Sequence, residues 1–135
     1  MRSTAAFALA ATDDAEAQKR LKRMLVDSYP DVRYNAATML ARRGDAAAVE
    51  VLAEMLDADQ DQALEKEAET QSRRYKRDLI LVNALRATKD LTQKNKQADL
   101  DELAEAVKRL TTSDLPSEIQ VQAKAVLFDL NQRRS

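Results

Sequence analysis

Apolar residues recur three, four and seven positions apart over most of the chain, which is the spacing of one face of an α-helix. Leu21, Met24 and Leu25 show it first, and Leu100, Leu103 and Val107 repeat it near the other end. The pattern predicts six helices after residue 13. They cover about 14–27, 31–43, 46–58, 79–91, 99–112 and 116–132.

Residues that begin or end helices lie between these segments. Asp13 and Glu16 resemble a capping box, Pro30 separates the first two helices, and Gly44 is placed to end the second in a left-handed conformation. The stretch 57–77 is acidic at first and then basic. It is either a solvated extension of the next helix or a charged docking element.

A duplicated unit is visible when the chain is shifted against itself by 31 residues. Arg2 then falls on Arg33, and the further matching pairs are Ala5-Ala6 with Ala36-Ala37, Leu9-Ala10 with Leu40-Ala41, Asp14 with Asp45, Leu21 with Leu52, and Met24-Leu25 with Met55-Leu56. Identities at helical spacing indicate a repeated pair of packed helices.

Composition supports helices and removes most catalytic chemistry. One glycine and two prolines are too few for a sheet with tight turns. The chain lacks cysteine and histidine, which removes thiolate nucleophiles, cysteine–zinc sites and the commonest general base. Asp57, Asp59 and Asp61 alternate but lack the turn glycine of a calcium loop. We therefore expect no enzyme activity, no metal and no cofactor.

Around Asp27 the chain resembles a HEAT repeat of the short subclass found in phycobilin lyases. The residues that carry the resemblance are Asp27, Val32 and Arg33, followed by Ala36, Ala37 and Leu40. The last unit keeps Asp114 but has Gln120 where the arginine would stand. The resemblance implies that Asp27, Arg33 and Asp114 belong to a side-chain ladder joining neighbouring repeats.

The resemblance and the repeat together predict an all-α fold, a right-handed α-solenoid of about 3.5 HEAT-like repeats. The units are a half repeat at 1–11 with only a second helix, then repeats at 13–44, 45–91 and 98–133, with a charged insertion at about 57–77. Because the first helix has no partner, we expect the chain to be a fragment of a longer protein, or to self-associate through open repeat ends.

HEAT-like arrays place their second helices along a concave wall, so residues opposite the apolar side of those helices should face a partner. A projection of 100° per residue selects Phe7, Tyr34, Leu79, Val121 and Phe128, with Tyr75 nearby and Arg42 and Arg86 as flanks. Exposed aromatics beside arginine are typical of protein-binding surfaces. Alternatively, these side chains pack against further repeats or an end-cap.

The predicted function is a non-catalytic scaffold or adaptor that binds a protein or peptide. The alternatives are an accessory or regulatory module of a larger enzyme and, third, nucleic-acid binding through a local basic face. A net charge of −1 gives no general attraction to nucleic acid or to anionic membranes. No apolar run is long enough to span a bilayer and the start is a poor signal peptide, which favours the cytoplasm. Alanine at Tyr34 and Phe128 should then weaken binding and leave stability nearly unchanged.

Overall fold

The computed structural model describes residues 15–59, 64 and 70–133, and these ranges contain six α-helices. In chain order they are α1 (Ala15–Met24), α2 (Pro30–Arg42), α3 (Val49–Met55), α4 (Thr70–Lys94), α5 (Asp101–Thr111) and α6 (Ser117–Gln132). A short 3₁₀ turn, Ala46–Ala48, leads directly into α3. No β-strand occurs in the ranges described, and no helix there has the length and apolar character needed to cross a membrane.

The ends of α2 are set by local chemistry. Pro30 occupies its first turn, where its missing N–H leaves no hydrogen bond unmade. Gly44 follows its last turn with φ +79°, the left-handed conformation predicted for it. The Asp45 carboxylate then accepts a hydrogen bond from the Ala47 N–H at 2.9 Å and so starts the next turn. The predicted capping box at Asp13 lies outside the described residues.

Helix α4 is longer than the sequence pattern predicted. We expected a helix over about 79–91, with the charged stretch 57–77 either as a solvated extension of it or as a docking element; α4 covers 25 residues from Thr70, which agrees with an extension from that residue onward. Its length is therefore about 37 Å. The basic stretch after residue 70 is helical because arginine, lysine and glutamine are good helix formers and because this turn packs beside α2. There Lys76 Nζ lies 3.6 Å from Asp31 Oδ1.

The helices form two layers. The first layer contains α1, α3 and α5, and the second contains α2, α4 and α6. Within the second layer α4 packs against both α2 and α6, and each second-layer helix packs on the first-layer helix before it in the chain. The core between the layers is largely leucine, with fully buried side chains at Leu21, Leu40, Leu52, Leu56, Leu81, Leu85, Leu91, Leu103, Leu110 and Leu130.

Polar side chains bind neighbouring helix pairs together at the end of α4. Asn95 Nδ2 donates to the Gly44 carbonyl oxygen at 2.9 Å, across 51 residues of sequence. Arg133, just after α6, donates to the carbonyl oxygens of Asn95 at 2.7 Å and Ala98 at 2.5 Å. A Cβ atom on Gly44 would lie only 2.9 Å from Lys94 Cβ. All three helix pairs therefore meet around the turn after α4.

Candidate partner-binding groove

An open groove of about 850 Å³ runs along the exposed side of α2 and α4, and we call it the second-layer groove. This volume lies in the range of known ligand pockets, roughly 300–1,000 Å³. Its lining comes almost entirely from the two helices: Asp31, Tyr34, Asn35, Thr38, Met39 and Arg42 from α2, and Lys76, Leu79, Ile80, Asn83, Arg86, Ala87, Lys89, Asp90 and Gln93 from α4, with Met55 below.

Basic side chains outnumber acidic ones in the second-layer groove by four to two. The basic residues are Arg42, Lys76, Arg86 and Lys89, and the acidic ones are Asp31 and Asp90. Asp31 is paired with Lys76. Arg42, Arg86 and Lys89 are exposed, and within the described ranges their side chains make no ion pair. The groove is therefore locally positive although the whole chain carries a net charge of −1.

The charge is unevenly distributed along the groove. The Asp31–Lys76 ion pair lies at one end of the groove. The next part of the groove toward the C-terminal end of α4 is neutral and is lined by Leu79 and Asn83. The exposed cations Arg42, Arg86 and Lys89 lie toward the C-terminal ends of α2 and α4. The groove thus has a neutral, partly apolar end and a basic end.

Four predicted partner-binding residues line this groove: Tyr34, Arg42, Leu79 and Arg86. Leu79 is 45% exposed and lies in the groove with Arg42 and Arg86. Val121 and Phe128 are 67% and 63% exposed on α6, as the helical projection predicted, but they lie outside the groove lining. Tyr75, on the added first turns of α4, is also exposed. Phe7 lies outside the described residues.

The structure corrects the prediction for Tyr34. We expected an exposed contact residue, but its side chain is only 5% exposed. Its hydroxyl donates to Glu54 Oε2 at 2.6 Å, and the Arg33 guanidinium carbon lies 5.8 Å from the ring centroid. Burial and then the hydrogen bond to Glu54 raise the pKa of Tyr34 well above its usual value. The projection fixed the direction in which the side chain leaves the helix but not where its far end lies.

Arg33 joins two helix pairs, as the resemblance implied, and has an acidic partner in Glu54. Its guanidinium donates to the Asp27 carbonyl oxygen at 2.9 Å and to Glu54 Oε2, on α3, at 2.7 Å. The Asp27 carboxylate accepts a hydrogen bond from the Tyr29 N–H at 2.9 Å. Glu54 was missed by the sequence reasoning because nothing in the local pattern distinguishes it from Glu50, one turn earlier on the same helix.

Asp114 does not take part in an equivalent contact within the part of the chain that is described. Its side chain is exposed. Gln120, at the position of the missing arginine, donates from Nε2 to the Ser113 carbonyl oxygen at 2.7 Å. A neutral amide has no charge to attract a carboxylate, so the ladder residue reaches a helix-end carbonyl instead, as Arg33 also does. The ladder role of Asp114 therefore stays a prediction.

The remaining groove residues of α4 could have been found from the sequence. Asn83, Arg86, Asp90 and Gln93 follow Leu79 at helical spacing on one face, so the projection that selected Leu79 and Arg86 includes the others. Lys76 lies before the predicted helix 79–91, so only the longer α4 places it beside the groove. Its role at the end of the groove could not be read from the apolar pattern.

A second, smaller groove lies between α3 and α5, and we call it the first-layer groove. It has a volume of about 390 Å³. The charged residues in its lining are the acids Glu50, Glu54, Asp57, Asp59 and Glu102, with Arg109 as the one cation. Among the described residues no cluster of acids is arranged to hold a metal ion.

Comparison with known proteins gives one match. The family model for HEAT repeats matches residues 1–72, slightly more than half of the chain. No curated protein and no solved structure matches this sequence. The matched region contains α1, α2 and α3 and the Arg33–Glu54 contact that joins α2 to α3.

Proposed function

Because this chain belongs to the HEAT-repeat family, we propose that it is a non-catalytic scaffold that binds another protein on its second layer. HEAT repeats commonly serve as protein-interaction scaffolds. We further propose that the helix pairs form a right-handed α-solenoid of about 3.5 repeats, with the second layer on its concave side.

The observation that carries this proposal is the exposure of large apolar side chains on the second layer. Leu79, Val121 and Phe128 are exposed on α4 and α6, and exposed arginines lie beside Leu79. Apolar side chains grouped on one surface and rimmed by arginine are favoured where a partner removes them from water. The charged side chains in the first-layer groove are instead mainly acidic.

Site-specific photo-crosslinking tests which layer meets a partner. A photoreactive amino acid replaces Asn83, in the second-layer groove, or Phe128, on α6. The matched control carries it at Glu105, an exposed position of α5 in the first layer. After irradiation in a lysate of the source cells, we expect the same protein to be crosslinked from positions 83 and 128 and not from 105.

The crosslinked protein is then purified and titrated against the chain. We expect Leu79→Glu to weaken its binding by at least about tenfold, because the substitution places a charge in an apolar contact. Crosslinks from position 105 alone, or a purified partner that binds Leu79→Glu as tightly as the parent chain, would contradict the proposed function.

A further inference from the structure

We infer that the second-layer groove takes an acidic amphipathic helix, with an apolar anchor at its neutral end and carboxylates at its basic end. This inference rests on the proposed function and specifies the chemistry of the partner. It follows from the charge, the spacing and the depth of the groove.

The unpaired cations argue for an acidic occupant. Arg42 projects from α2, and Arg86 and Lys89 project from α4, so positive charge lines both walls at the same end. Asp90 is the acid that lies with them, and it is half-buried. A carboxylate placed between Arg42 and Arg86 would be attracted to both walls, and arginine can bind it through two parallel hydrogen bonds.

The spacing argues for a helix. Leu79 and Arg86 are seven residues apart on one face of α4, which corresponds to about 10.5 Å along the axis. A partner helix lying along the groove has the same rise per residue. If an apolar residue of the partner helix contacts Leu79, an acidic residue two turns further along that helix therefore lies beside Arg86.

The depth of the groove favours an amphipathic peptide over a nucleic acid. Met39, Ile80 and Ala87 form an apolar floor that an aliphatic side chain can fill. The aromatic ring in the lining, Tyr34, is buried and hydrogen-bonded, so its face is not available for a base to stack on.

Fluorescent peptides provide the direct test with the full chain. The first probe is a helix of about 16 residues built on alanine and glutamine, with a leucine anchor and two glutamates two turns further on. Three variants replace the glutamates by lysine, the leucine by serine, or a central alanine by proline. A single-stranded oligonucleotide is the nucleic-acid probe, and anisotropy reports binding.

We expect the glutamate peptide to bind at least about tenfold more tightly than the lysine, serine or proline peptide. The double variant R42E/R86E should lose about tenfold in affinity for the glutamate peptide and gain affinity for the lysine peptide. Arg109→Glu, in the first-layer groove, is the matched control and should leave both affinities unchanged.

Four outcomes would overturn the inference. In the first, the lysine peptide binds as tightly as the glutamate peptide, and in the second the proline peptide does so. In the third, the oligonucleotide binds more tightly than the glutamate peptide. In the fourth, the parent chain forms a dimer that the R42E/R86E variant does not form. The last would make a second copy the occupant. A crosslinked partner whose binding depends on Leu79 but not on Arg42 and Arg86 would remove this inference and leave the proposed function standing.

Discussion

The second-layer and first-layer grooves carry opposite charge. The second-layer groove, between α2 and α4, has four cations and two acids, whereas the first-layer groove, between α3 and α5, has five acids and one cation. A count over the whole chain gives 22 basic and 23 acidic residues and hides this separation. For a two-layered helical protein, the charge of each layer is therefore more informative about binding than the net charge.

A part-buried contact connects the two grooves. Tyr34 lines the second-layer groove and Glu54 lines the first-layer groove, and the two are joined by a hydrogen bond. Glu54 therefore has a structural role, because it also accepts a hydrogen bond from Arg33. Some acids of the first layer thus stabilise the fold, whereas others only face solvent. Substitutions can distinguish the two kinds by their effect on the free energy of unfolding.

The largest expected effect comes from Tyr34→Ala. It removes a buried aromatic ring and the hydrogen bond to Glu54, and should lower the free energy of unfolding by about 3 kcal/mol. The matched controls are Tyr75→Ala and Phe128→Ala, whose rings are exposed and whose loss should cost less than about 0.5 kcal/mol. Denaturant unfolding measures all three. Equal losses for Tyr34 and Phe128 would place the two side chains in the same environment and contradict the structure.

A smaller effect is expected from Glu54→Gln. The change keeps the shape of the side chain and removes the charge that pairs with Arg33, so we expect a loss of about 1–2 kcal/mol. Glu50→Gln, one turn earlier on α3, is the control and should be nearly neutral, because the described residues show no ion pair for Glu50. If both variants unfold at the same denaturant concentration, the Arg33–Glu54 contact does not stabilise the junction between the two helix pairs.

The next effect concerns Asp45, a first-layer acid with a structural role. Burial alone would raise its pKa, but hydrogen bonds from Gln18 and the Ala47 amide, together with Lys22, outweigh burial and hold the pKa below its usual 3.8. Since the folded pKa is the lower one, the stabilisation is complete above the unfolded pKa and is lost as the pH falls through the folded value.

Asp45→Asn keeps an oxygen for the Ala47 N–H but removes the charge that the hydrogen bonds and Lys22 favour, so it should cost about 1 kcal/mol near pH 7. The difference between parent and variant should shrink steadily below about pH 4, because the parent carboxylate becomes protonated there. Thermal unfolding at a series of pH values measures this difference. A difference independent of pH down to pH 2 would show that the charge of Asp45 contributes nothing.

The smallest effects on stability are expected from charge changes on the exposed walls of the grooves. Arg86→Glu and Glu102→Lys should each change the free energy of unfolding by less than about 0.5 kcal/mol, since both side chains are exposed. Only Arg86→Glu should change binding of the acidic peptide. A comparable effect of Glu102→Lys on that binding would mean that the layers do not differ in function.

The helices could be predicted from the sequence because their evidence is local. The apolar spacing located all six, and Pro30 and Gly44 mark the boundaries of α2. Exposure of Leu79, Val121 and Phe128 was also predicted correctly, because their positions on the helix decide it. Whether these residues bind a partner remains a proposal.

The buried contacts could not be predicted, because they depend on distant residues. The hydroxyl of Tyr34 is buried against a carboxylate twenty residues away, and a helical projection contains no information about such a neighbour. The start of α4 at Thr70 could not be fixed from the apolar pattern, which left the stretch 57–77 either as an extension of this helix or as a docking element. The first turns of α4 are polar and offer no apolar spacing, and they are held beside α2 by the Lys76–Asp31 pair.

The junction at Gly44, Asn95 and Arg133 has a consequence for how the molecule unfolds. Arrays of repeats can lose their terminal units one at a time, since each unit contacts only its neighbours. Here side chains from the last helix pair and from the turn after α4 are bonded to backbone carbonyls of the pairs before them. Fraying of α6 would remove partners from the end of α4, so amide hydrogen exchange in these two helices should report a single cooperative opening.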